Sequence, residues 1–369
     1  MTMVTRQNLL AEKTRFVISV GGIALAVFLM SFLMSLYQGW RLSIGRFVEH
    51  VDANIWVTRE GTSDFLNAAS LLPADIEPQL AAIPGVAVVD AVIVRPMQVN
   101  IGGERYSMHL VGYDVDGGSG GPPKMEQGKD PPGEGEIIVD SAFKDKAGLD
   151  IGDEIDVTGQ RLTVVGVSSG GNLAFSQTTF VSLETAQTVL TMPRLSTFYL
   201  LRTADSADPQ AVAGEVERQL PGVDAFTNEE FAKATRDSIM RNIVPILIVI
   251  LGLAFVVGVA ITGLTIYNAT VEKQREFGIL KAIGFTNGYL FRLVLEQSLA
   301  TGALGFAVGA LTTFIATRFV SDYVPEFVTL LQWRDVLLVL GATLVMSACA
   351  ALLPVRRIAN VDPVTVFNG

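Results

Sequence analysis

The sequence predicts an α+β membrane protein: four transmembrane helices, with a large mixed α/β extracytoplasmic domain inserted between the first and the second. Four apolar runs carry the first half of that prediction, Phe16–Tyr37, Ile243–Ile266, Leu293–Phe319 and Val336–Leu353. Each approaches or exceeds the roughly 20 residues that cross a bilayer at about 1.5 Å per residue. Composition agrees, since 50% of the 369 residues are apolar and 17% charged, with a mean hydropathy of +0.43. Those values argue against a purely soluble enzyme or a disordered chain. Charge asymmetry carries the second half. Residues 40–241 hold 16 Lys/Arg against 29 Asp/Glu, whereas the short segments 1–15, 268–292 and 354–369 together hold 9 against 4. The positive-inside rule assigns the three short segments to the cytoplasm and the acidic stretch to the outside. The chain is therefore expected to be a multi-pass protein of the cytoplasmic (inner) membrane with both termini cytoplasmic. Membrane lipids are its surroundings, and an acidic exterior makes nucleic acid an unsuitable partner.

Residues 1–15 are expected to form a cytoplasmic amphipathic helix, with Leu9, Leu10 and Phe16 toward lipid and Lys13 and Arg15 away from it. A flexible basic tail is the alternative. The first transmembrane helix, 16–37, is read as an uncleaved anchor, because its 22-residue run exceeds a signal-peptide core and no clean small-x-small site follows. The extracytoplasmic domain covers 38–226. Its strand candidates, β-branched or alternating, are Ala53–Thr58, Val86–Val99, Arg105–Val111, Ile137–Val139, Ile155–Val157, Arg161–Val167 and Thr197–Arg202. Its helix candidates are Pro73–Ala82 and Asp208–Leu220, the latter with Asp208 as N-cap and Pro209 at the first position. Gly117–Gly135 reads as a long Gly/Pro loop that exposes Ser119. Two phrases, AIPGVAVVDA (82–91) and QLPGVDAFTN (219–228), present Pro-Gly-Val between a helix candidate and a strand-like run, which is either an internal repeat or coincidence.

The C-terminal half begins with a stalk helix, 227–242, leading into the second transmembrane helix, 243–266, with a hinge expected at Pro245 because proline removes one ladder hydrogen bond. A cytoplasmic coupling-helix region, 267–289, follows. Transmembrane helices at 290–320 and 336–353, an extracytoplasmic loop at 321–335 and a cytoplasmic tail at 354–369 complete the chain. Ala254 and Gly258 in the second span, and Gly302, Gly305 and Gly309 in the third, let transmembrane backbones approach closely, within the bundle or across a dimer. Glu296 is an ionisable group inside a span. It either pairs with Arg292 one turn earlier or acts in function, although no second intramembrane acid accompanies it as a proton relay would require.

Catalytic chemistry is not expected of this chain. It carries no G-x-x-x-x-G-K-[ST] phosphate loop, and GGSGGPPK (117–124) has neither that spacing nor a following helix. No serine-nucleophile elbow or H-E-x-x-H motif is expected. His50 and His109 lack ligand-like spacing, so no metal is expected, and the single Cys349 forms no intrachain disulfide.

Four stretches carry a family likeness. REFGILKAIG (275–284) resembles the cytoplasmic coupling-helix signature of MacB/FtsX/LolC-type ABC transporter permeases, and LLPVRRIANVDPVTVF (352–367) resembles their closing motif. Residues 133–167 look like their periplasmic core domain, and 8–27 is similar to their approach to the first span. Because no ATPase domain is present, the likeness is to DevC-like members whose ATPase is a separate chain. It implies two copies of an ABC ATPase that bind ATP and Mg, so that this chain needs no cofactor of its own, and a second permease copy or paralogue. Arg275, Glu276, Gly278, Lys281, Ala282 and Gly284 would contact the ATPase, with Gly278 and Ala282 as its small-residue patch and the apolar arc Phe277, Ile279, Leu280 and Ile283 against the chain's own spans. The implied function is export or extraction of a lipid, peptide or drug-like substrate, with an adaptor protein as a further partner. The alternative is mechanotransmission to a cell-wall hydrolase.

Overall fold

The computed structural model describes residues 13–66, 70–171, 177–323 and 328–359. The expected amphipathic helix at 1–15 and the cytoplasmic tail at 354–369 lie largely outside those residues. The chain separates into two compact units, one of residues 39–243 with 324–328, the other of 1–38, 244–323 and 329–369. Two helices, α1 (Lys13–His50) and α6 (Asn228–Glu272), contribute to both.

The first unit is organised by a 10-stranded sheet. Along its main path the order is β12-β1-β11-β3-β4-β9-β6-β8-β5, and β7 pairs with β8. The strands are β1 (Ile55–Arg59), β3 (Val86–Ile101), β4 (Glu104–Tyr113), β5 (Lys124–Gly128), β6 (Glu136–Asp140), β7 (Glu154–Val157), β8 (Gln160–Ser169), β9 (Gln177–Ser182), β11 (Phe198–Thr203) and β12 (Val223–Thr227). A separate small pairing joins β2 (Leu72–Pro73) to β10 (Leu195–Ser196).

The run β1–α2–β3, followed much later by β11–α5–β12, has the connectivity of a ferredoxin-like split βαβ lobe, with α2 at Glu77–Ala81 and α5 at Pro209–Gln219. Neighbouring strands there are antiparallel. Both Pro-Gly-Val phrases make the helix-to-strand turn of that lobe, with Gly85 at φ 94° and Gly222 at φ 90°. A left-handed φ at low cost is what glycine supplies. Leu80, Ile83, Val212, Val216 and Leu220 from the two helical arms bury one shared core, so the two phrases are structurally equivalent.

The second lobe, β4 to β9, is inserted between β3 and β11. It includes two parallel pairs, β4 with β9 and β6 with β8. Its core holds Ile137, Val139, Phe143, Ile155, Val164 and Val181, with α3 (Ser141–Ala147) and α4 (Leu183–Val189) packed on the strands. A third cluster stacks aromatic residues beneath the sheet: Trp56 lies 4.8 Å from Phe231 and edge-on to Phe65 and Phe198.

Every strand candidate of the sequence becomes a strand, whereas β2, β5, β9, β10 and the short helices α3 and α4 lie outside the candidates. Asp208 caps α5 as expected, accepting from Gln210 N at 3.2 Å. Pro73–Ala82 is only partly α-helix: Pro73 pairs in β2, residues Ala74–Ile76 form a 3-10 turn, and α2 begins at Glu77. Gly117–Gly135 is not one long loop, because β5 lies within it and pairs with β8.

In the other unit, four helices among the described residues are long and apolar enough to cross a membrane: Phe16–His50, Asn228–Glu272, Asn287–Val320 and Trp333–Leu352. They belong to α1, α6, α8 (Asn287–Tyr323) and α9 (Trp333–Ala359). Helices are the spanning form that satisfies every backbone polar group without water. The expected stalk and second span form one helix of 45 residues with Pro245 inside it. No break is assigned at Pro245, so the expected hinge is not seen as an interruption.

Candidate functional site

Helix α6 ends at Glu272, and Lys273, at φ −91° and ψ 16°, turns the chain into the short helix α7, Gln274–Ala282. Gly284, at φ 101°, closes it. Its N–H donates to the Lys281 carbonyl at 3.0 Å, and the Phe285 N–H donates to the Leu280 carbonyl at 3.1 Å. This is a left-handed helix stop, in which glycine spares the steric cost. Thr286 then starts α8, its hydroxyl accepting from Tyr289 N at 3.4 Å.

The expected division of this helix is reversed in part. Phe277 is buried beside Ile266, Leu290, Leu293, Val294 and Ala351, with Leu280 packed against them. Gly278 is buried on the same side, while Arg275, Glu276, Ala282 and Gly284 are exposed and Lys281 is half-buried. Gly278 and Ala282 therefore do not make one open patch. Ile279 and Ile283, assigned to the inward arc, face outward, Ile283 at 71% exposure, with Phe285 and Tyr289 also exposed. At about 100° per residue, Phe277 and Ile279 point about 160° apart.

The small residues of the spans pack inside the chain. A Cβ on Gly305 would stand 2.5 Å from Ile23 Cγ2, and one on Gly309 would stand 2.6 Å from the Ala24 carbonyl. Gly302 abuts Ser347, and Gly258 abuts Met346 and Ala26. Ala254 joins Ile23, Ala26, Val27 and Met346 in one buried cluster. Glu296 pairs with Arg292, whose Nε donates to Oε1 at 3.1 Å.

Among the described residues no group of three His, Cys, Asp or Glu is placed to hold a metal. Residues 117–121, Gly-Gly-Ser-Gly-Gly, do carry the G-x-S-x-G spacing, contrary to expectation. The strand-turn-helix context that exposes such a serine is missing. Ser119 is 1% exposed, and its hydroxyl donates to the Asp52 carbonyl at 3.0 Å. Arg202 donates to the Gly117 carbonyl at 2.9 Å, and a Cβ on Gly120 would lie 2.7 Å from Val92. This loop is clamped, and it borders a cavity of about 250 Å³ lined by residues of 47–52, 113–123, Asp130 and Pro131.

The sequence matches the MacB-like periplasmic core domain over residues 16–219, more than half the chain, and the FtsX-like permease C-terminal family over residues 248–363. It is 25% identical over 366 residues to the "Uncharacterized ABC transporter permease Rv2563" of Mycobacterium tuberculosis (strain ATCC 25618 / H37Rv), covering 97% of both chains. It is 22% identical over 248 residues, 67% of each, to the "Putative hemin transport system permease protein HrtB" of Staphylococcus epidermidis (strain ATCC 12228 / FDA PCI 1200). The periplasmic region of MacB from Actinobacillus actinomycetemcomitans superposes with a TM-score of 0.38 at 10% identity, over 53% of this chain and 95% of that one. The extracellular domain of the transporter YknZ from Gram-positive bacteria gives 0.37 at 15% identity, over 47% and 99%. On the sequence matches, the chain belongs to the MacB/FtsX-type family of ABC transporter permeases.

Proposed function

We propose that this permease couples ATP hydrolysis by two copies of a partner ABC ATPase to movement of its extracytoplasmic domain, in order to export a lipid, peptide or drug-like substrate. The observation that carries the reading is α6, one helix of 45 residues joining β12 to the turn before α7. At about 1.5 Å per residue its path is roughly 68 Å long, and an unbroken helix is suited to carry a displacement along the chain. The outward face of α7, with Arg275, Glu276, Ile279, Ala282, Ile283 and Gly284, is the proposed ATPase contact. Gly278 and Lys281 act from behind it, Gly278 by letting α7 seat closely. In this reading both termini are cytoplasmic, the membrane is the cytoplasmic one, a second permease copy completes the complex, and ATP and Mg reside on the partner.

Regulation of a cell-wall hydrolase without transport is the second reading, and the FtsX-like permease C-terminal match is common to both. A relative named for hemin transport favours the reading in which a small molecule is transported. Co-purification from gentle detergent tests the contact. Ile283→Glu places a charge in the apolar centre of that face and is expected to reduce ATPase recovery at least tenfold, with the permease still folded. Undiminished recovery would sink the assignment.

A further inference from the structure

The cavity beside the clamped loop has a chemical character that the family does not specify. Phe47, Val51 and Tyr113 form part of its lining, all of them buried. Asp52, Asp130 and His50 also line it, and among the described residues no Lys or Arg does. The Tyr113 hydroxyl donates to Asp130 Oδ1 at 2.6 Å, which fixes that carboxylate at the hydroxyl end of the ring. Asp52 is 86% exposed at its side chain, and its nearest cation, Arg202 at 3.9 Å, is beyond hydrogen-bond distance and is engaged with the Gly117 carbonyl. The walls are set in advance. Gly120, at φ 87° and too close to Val92 for a Cβ, and Ser119, tied to Asp52, hold the loop where it stands.

Two carboxylates, one held by Tyr113 and one exposed, beside buried apolar and aromatic side chains suit a cation with an apolar body, because each carboxylate gains a charge-assisted partner. The surrounding acidic excess, 29 Asp/Glu against 16 Lys/Arg over 40–241, adds a field that concentrates cations and repels anions. A volume of about 250 Å³ leaves room for an amine on a single ring. We propose that this cavity receives a small organic cation, a protonated amine carried on an apolar or aromatic group, as the substrate or the leading group of a larger one. The proposal rests on the reading that the extracytoplasmic domain handles a substrate.

The test uses the full chain in phosphatidylcholine nanodiscs, with empty nanodiscs subtracted. Binding of benzylamine, benzyl alcohol and benzoate is measured by saturation-transfer NMR at pH 7. Benzylamine is expected to bind at least fivefold more tightly than the alcohol, benzoate is expected to give no transfer, and added salt is expected to weaken benzylamine binding. Asp130→Asn keeps an acceptor for Tyr113 and is expected to weaken benzylamine at least fivefold. Asp52→Asn, at an exposed side chain that does not threaten folding, is expected to weaken it at least threefold. Asp116→Asn, an exposed acid that does not line the cavity, should leave it unchanged. Equal binding of the three compounds, or affinity within twofold of the parent in both Asp52→Asn and Asp130→Asn, overturns the proposal. No ATPase is present in this assay, so failed ATPase recovery would count against the coupling reading alone.

Discussion

Gly305 of α8 lies against Ile23 of α1 so closely that a Cβ would stand 2.5 Å from Ile23 Cγ2 and 3.2 Å from the Val20 carbonyl. Such contact is how transmembrane helices associate where lipid removes the hydrophobic drive. The seam expected either within the bundle or across a dimer is occupied within one chain. Gly305→Val should overpack it and cost about 1–3 kcal/mol or more, read as a lower midpoint in thermal unfolding in detergent. Gly341, in α9, faces open space, with nothing within 4 Å of where a Cβ would stand. Gly341→Ala should therefore be neutral or raise the midpoint through helix propensity, by up to about 1 kcal/mol. Equal effects from both substitutions would refute the packing account.

Asp140 offers a test by pH. It caps α3 by accepting from Ala142 N at 3.0 Å and also accepts from Gly171 N at 3.3 Å. Burial outweighs those hydrogen bonds, and its carboxyl is pushed up to about 6. A carboxyl that holds its proton more tightly in the folded state contributes stability below its unfolded pKa, and that contribution is lost as pH rises through about 6. At about 1.36 kcal/mol per unit, the loss between pH 4 and pH 7 is roughly 2–3 kcal/mol. Intrinsic fluorescence on thermal unfolding should therefore show a falling midpoint across that range. Asp140→Asn, which keeps a capping acceptor, should flatten the slope; an unchanged slope would assign it to another group.

Deletion of 117–135, which a Gly/Pro loop would tolerate, is expected to destroy the folded extracytoplasmic unit. It removes β5, the Gly117 carbonyl that Arg202 holds, and the Asp130 carboxylate that accepts from the Tyr113 hydroxyl. A milder variant, Gly120→Val, meets both a left-handed backbone and the Val92 contact, at a cost of about 2 kcal/mol or more. Limited proteolysis reads both, and a protease-resistant domain after the deletion would contradict the fold. A cysteine reporting on the topology belongs at exposed Asp116 rather than at buried Ser119.

Much of the fold was legible because its signals are local. β-branched alternation in Val86–Val99 and the Asp208-Pro209 start of α5 act over a few residues, and the structure keeps both. β5, KMEQG, escaped notice because it is polar and mostly exposed; only its pairing with β8 makes it a strand. β9, QTTFVS, is buried along its whole length, yet carries no alternation that would announce it. At the candidate site, the stop at Gly284 and the charged segment before it could be read directly. Which side of α7 faced the bundle could not, since Phe277, Ile279, Leu280 and Ile283 are all apolar and the choice falls to whichever pair meets Leu290 and Val294.

Taken alone, the sequence determined the class of this protein: apolar runs of spanning length, an acidic insert, a charged segment between spans, and no nucleotide loop. Those are properties of composition and spacing, which no folding event alters. Tertiary structure alone decided that the glycine seam closes on Ile23 and Ala24, that Ile279 and Ile283 face outward, and that Asp52, Tyr113 and Asp130 converge on one cavity. Each depends on contacts between residues far apart in the chain, where the burial of one surface settles what its opposite face exposes.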